Sequence, residues 1–105
     1  MIDWQRMAEL RDEVGEEEFE EVVALFLEEV AEVIERLKAA PDHSRLEEDL
    51  HFLKGSALNV GFAELGRLCA EGERQAAAGN PAEVDLHAIF ACHADSHDAL
   101  RKGPG

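Results

Sequence analysis

Apolar residues recur at Leu46, Leu50, Leu53, Ala57 and Val60, in steps of 4, 3, 4 and 3. That spacing is the period of an α-helix with one buried face, and no strand gathers those side chains on one side. The same period runs through most of the chain, interrupted at Gly15, Pro41, Gly61 and Gly79. A chain cut this way has one economical solution, in which consecutive helices turn their stripes toward a shared core.

Five helical segments follow from the punctuation. The first, about residues 3–13, takes Asp3 as its cap and aligns Met7, Leu10 and Val14 in one stripe. Beyond Gly15, the acids Glu16, Glu17 and Glu18 occupy the first turn of the second helix, where the macrodipole favours negative charge. That helix reaches about Ala40 and buries Phe19, Val22, Val23, Phe26, Val30, Val33, Ile34 and Leu37. Pro41 ends it. Ser44 and Glu47 have the spacing of a capping box for the third helix, about 45–60. After Gly61 a fourth helix carries Leu65, Leu68, Cys69, Gly72 and Ala76, and Gly79 stops it. Asn80-Pro81 offers an N-cap and a first-turn proline for a fifth, with Val84, Leu86, Ile89, Phe90 and Leu100. The expected fold is all-α: an antiparallel four-helix bundle with a short additional N-terminal helix, one domain over residues 1–105.

With 24 acidic residues against 10 Lys and Arg, the formal charge is −14. Such a surface repels nucleic acid and anionic membranes. The longest aliphatic run, VVALFL at 22–27, is too short to span a bilayer. The start of the chain is charged from its third residue and lacks the apolar stretch of a signal peptide. Cys69 and Cys92 form no CxxC pair, which fits reduced thiols in a cytoplasmic protein better than a disulfide scaffold. Nothing resembles a phosphate-cradling glycine loop, so the chain is not expected to bind ATP by itself.

Chemistry concentrates in the third helix, in the stretch HFLKGSALNVG at 51–61. At about 100° per residue, His51 lies well off the core direction, with Lys54 one turn away on its side. Gly55 sits in mid-helix, where it costs about 1 kcal/mol relative to alanine. A surface helix gains nothing from that glycine unless a large body must approach the imidazole. Neutral imidazole is a competent nucleophile near neutral pH, since its ordinary pKa is about 6.5. Lys54 is placed to offset the charge of an added phosphoryl group. Phosphoryl transfer demands positioning and charge balance more than covalent machinery.

The stretch resembles the signature of histidine-containing phosphotransfer (HPt) domains, roughly H-x-x-K-G-[SA] with a closing glycine. His51, Lys54, Gly55, Ser56 and Gly61 match it. DWQRMAELRDEVGEEEFEEVVALFLEEV resembles the first two helices of that family and LGRLCAEGE its fourth, so the likeness covers about residues 3–79. The resemblance implies that His51 is phosphorylated and exchanges its phosphoryl group with aspartates of response-regulator receiver domains in a multistep phosphorelay. Lys54 then steadies the phosphate, Gly55 gives clearance to the receiver and Gly61 turns the chain. It also implies a monomeric phosphocarrier without kinase activity of its own, served by a sensor or hybrid histidine kinase. By the same resemblance no cofactor binds the free domain, and Mg²⁺ would belong to the receiver's acidic pocket.

Hairpin geometry adds a further site residue. If the third and fourth helices reverse near Gly61-Phe62, facing positions sum to about 123 or 124, which sets His51 opposite Gly72 or Glu73. Family members commonly place there a side chain, often glutamine, that accepts a hydrogen bond from the nitrogen that stays unphosphorylated. Here that role falls to Glu73, with Gln75 pointing elsewhere. Phe52 and Leu58 lie off the core stripe and are candidate docking anchors for a receiver.

Two other readings fit less well. A kinase dimerisation helix usually follows its histidine with an acid and then a proline, whereas Phe52 follows His51 and the next proline is Pro81. His93 and His97, spaced i, i+4 near Cys92, Asp95 and Asp98, have a zinc-chelating spacing. They are too few for a closed site, and no matching pair stands out on a facing helix.

Overall fold

The computed structural model describes residues 2–104. It contains α1 (Trp4–Val14), α2 (Glu16–Ala39), α3 (Leu46–Asn59), α4 (Ala63–Ala77) and α5 (Leu86–Lys102), with a 3₁₀ turn at Pro81–Glu83. Helices α2 to α5 form the four-helix bundle, and α1 packs across α2 and α3 at one end. None of these helices is long and apolar enough to cross a membrane.

Each boundary has a local cause. Asp3 caps α1 by accepting from the Arg6 backbone N–H at 3.0 Å. Gly15, at φ +88°, closes α1 through its N–H to the Arg11 carbonyl and opens α2 at the same time. Ala40 leaves the helical region because the residue before a proline is pushed to extended backbone. Gly61, at φ +77°, makes the reversal between α3 and α4. That reversal is tied down from outside. The Asp3 N–H donates to the Gly61 carbonyl, and the Arg6 guanidinium reaches both the backbone oxygen and Oδ1 of Asn59.

Two caps differ from the sequence expectation. Ser44 and Glu47 form no capping box: Ser44 gives both its backbone N–H and its hydroxyl to Asp42 Oδ1, and α3 begins at Leu46. Asp42 closes an Asx turn and takes the serine out of competition. Pro81 opens only the short 3₁₀ turn, after which Val84 is extended. Asp85 is the true cap of α5, accepting from the Ala88 N–H at 3.0 Å.

The core stripe of α3 is as expected, with Leu46, Leu50, Leu53, Ala57 and Val60 all fully buried. In α2, Phe19, Val23, Val30, Ile34 and Leu37 are buried, while Val22, Phe26 and Val33 pack half-buried at its edge. Phe62, just past the turn, is the largest fully buried side chain. Asp49 is buried as well and is held by a bidentate pair with Arg36 of α2, at 2.8 and 3.0 Å. This pair fixes the register of α2 against α3 at the level of the His51 turn.

The α3–α4 hairpin is the tightest contact in the bundle, and its closeness has a cause in the sequence. A Cβ on Gly66 would lie 2.5 Å from a methyl of Leu58. One on Gly72 would lie 2.9 Å from a methyl of Leu50. With no side chains there, and only Cys69 between them on the same stripe, α4 settles directly onto α3.

Candidate phosphoryl-transfer site

His51 sits in the second turn of α3 with its side chain 69% exposed. The apolar stripe turned Leu50 and Leu53 inward, so the imidazole between them had to point out. Its Nδ1 is 2.8 Å from Oε2 of Glu73, across the hairpin on α4. The other oxygen of that carboxylate, Oε1, is 2.8 Å from Nζ of Lys54. One carboxylate therefore holds both the histidine and the lysine.

The facing rule thus held, since His51 meets Glu73 while its neighbour Gly72 is buried between Leu50, Val84 and Ile89. Gln75 lines a separate recess between α4, the 3₁₀ turn and α5. The hydrogen bond from Lys54 holds the Glu73 carboxyl below its ordinary value, with that from His51 adding to the effect against partial desolvation. An ionised carboxylate only accepts. Nδ1 must then be the donor, which leaves the lone pair of a neutral ring on Nε2, the nitrogen facing away from Glu73.

Gly55, one turn beyond His51, is exposed, and a Cβ added there would meet nothing within 4 Å. Among the described residues no contact requires a glycine at this position. Phe52, at 43% exposure, and Leu58, at 46%, are large apolar side chains open to solvent. Leu58 nonetheless lays its methyls against the Gly66 backbone, so part of it belongs to the hairpin packing. Beside the imidazole, Ser44, Glu47, Glu48, His51 and Glu73 line an open recess.

His93 and His97 lie against each other on α5. Their rings meet edge-on at 6.1 Å, and His93 is half-buried, its basicity lowered by burial and then by His97. Among the described residues, no group of three or more His, Cys, Asp or Glu is placed to hold a metal ion. Sequence reasoning missed the Arg36–Asp49 pair. An acid on the inner flank of the Leu46/Leu50/Leu53 stripe was the available signal.

An exposed histidine of fixed tautomer, a lysine one turn on and open space above them are now joined by an independent finding. The family model described as Hpt domain matches residues 21–102. The chain belongs to the Hpt domain family. Hpt domains are helical bundles that carry a phosphoryl group on histidine in phosphorelays, and they interact with histidine kinases and response regulators. The match extends beyond the quoted likeness to include α5, and it leaves α1 outside. No curated protein and no solved structure matches this Hpt domain.

Proposed function

We propose that His51 is the residue of this Hpt domain that accepts a phosphoryl group from a receiver aspartate and passes it to another. The observation that carries the reading is the engagement of Nδ1 by Glu73 at 2.8 Å on a ring otherwise open to solvent. This arrangement presents Nε2, unprotonated and unobstructed, to an incoming phosphorus.

The other residues support that step without forming bonds to phosphorus. Glu73 orients the ring. Lys54, 30% exposed and paired with Glu73 Oε1, brings a positive charge to the turn next to His51 that offsets the charge of the phosphoryl group. Gly55 leaves the space that a receiver needs to bring its aspartate to bonding distance. Phe52 anchors the receiver on the α2–α3 face. The domain acts as a monomeric phosphocarrier, not a kinase, and binds no cofactor. Mg²⁺ belongs to the receiver, whose acidic pocket supplies the electrostatics that phosphoryl transfer requires.

The test is to mix the purified domain with radiolabelled phosphoreceivers from the same cell and follow the label. Wild type should take it up in acid-labile form. His51→Gln should fold as the wild type does, its side chain being outside the core, and should take up none. Retained labelling in that variant would mean that another residue is the acceptor.

A further inference from the structure

The contact between Glu73 and Nδ1 bears on the phosphorylated ring as well as on the free one. This rests on His51 being the phosphorylated residue. When Nε2 attacks an aspartyl phosphate, its lone pair forms the N–P bond. The P–O bond breaks and its electron pair leaves with the aspartate carboxylate. No proton moves in that step, so Nδ1 keeps its hydrogen and the ring becomes a phosphoimidazolium. On the way out the N–P bond breaks and its pair returns to Nε2. With the Nδ1 proton in place, the leaving group is neutral imidazole. Without it the leaving group is imidazolate, a far stronger base that departs much more slowly.

The acids around the ring favour the first case, and the cation of Lys54, which opposes it, is itself paired with one of them. Glu73 Oε2 stands 2.8 Å from Nδ1, and Lys54 pins the other oxygen at 2.8 Å, so the carboxylate is held in place and ionised. The recess beside the ring adds Glu47 and Glu48 from the preceding turn of α3 and the neutral Ser44. Every ionisable group lining it besides His51 is an acid, and each stabilises a cationic ring.

We propose that Glu73 keeps the Nδ1 proton on phosphorylated His51, so that the domain stays a ready phosphoryl donor from neutral into mildly alkaline solution. Glu73 is a positioning residue in this scheme, acting only through His51. A neutral glutamine at the same place would still accept from Nδ1–H and orient the ring, but without the charge it would hold the proton less firmly.

The experiment phosphorylates the intact domain with the small-molecule donor phosphoramidate and follows loss of phosphate from residue 51 by phosphorus NMR. His51→Gln serves as the blank for other histidines. Rates are taken from about pH 6 to about pH 9, the span around ordinary imidazole titration. Wild type should lose phosphate at a rate that stays level to higher pH than Glu73→Gln, whose fall should begin roughly one pH unit or more earlier. Glu73→Asp keeps the charge and should restore much of the wild-type profile. Coincident profiles for wild type and Glu73→Gln would overturn this proposal alone. If residue 51 takes no phosphoryl group from phosphoramidate or from phosphoreceivers, the reading of His51 fails with it.

Discussion

Gly55→Ala separates packing from function more sharply than any other change in this chain, because the two should move in opposite directions. The residue lies in mid-helix in α3 with nothing within 4 Å of an added Cβ. The methyl therefore clashes with nothing in the isolated domain, and the helix gains the usual difference between glycine and alanine, about 1 kcal/mol. For a chain of 105 residues that corresponds to a rise in Tm of roughly 4 °C or more. The same methyl stands one turn from His51, on the path that the proposed transfer requires of a receiver. Holding reacting groups about 1 Å out of place costs on the order of a hundredfold in rate, so transfer from a phosphoreceiver should fall at least tenfold. Thermal melts followed by circular dichroism give the first quantity, and rapid-quench radiolabel transfer gives the second. A stabilised variant that transfers at the wild-type rate would refute the claim that Gly55 is there for the partner. A destabilised one would refute the open space above it.

Arg36→Leu should destabilise the fold by about 1–3 kcal/mol, because it strands the buried Asp49 carboxylate. The double change with Asp49→Leu should recover most of that in urea unfolding, and a double variant as weak as the single would contradict the account. Burial pushes the Cys69 thiol up to about 12, so native protein should leave it unmodified by iodoacetamide at mild alkaline pH. The sign of the linked stability follows: above about 8.5 an unfolded thiol ionises while the folded one stays protonated, so stability drops as pH rises. Cys69→Ala should flatten that decline, and an unchanged slope would assign it to other groups. Phe52→Ala should leave the melting temperature nearly unchanged, since the ring is 43% exposed, but weaken receiver binding measured by calorimetry. Loss of stability with unaltered affinity would make Phe52 a packing residue.

Much of this protein is local and therefore legible in one dimension. The period of 3.6 placed Leu46 to Val60 inward, and the same arithmetic put His51 outside. Gly15 and Pro41 end helices through their own backbone preferences, which need no partner to act. Even the contact between His51 and Glu73 could be counted across the turn, because two antiparallel helices of equal rise stay in step. What needed the folded chain were choices among competing local options. Ser44 met an aspartate two residues back before it could cap α3, and Asp85 outcompeted Asn80 for the start of α5. Arg36 and Asp49, 13 residues apart, pair only because the bundle brings α2 and α3 together. Spacing alone put Lys54 one turn from His51 on the same side of α3. That it rests on the same carboxylate as His51 was decided by how closely α4, bare at Gly66 and Gly72, settles onto α3.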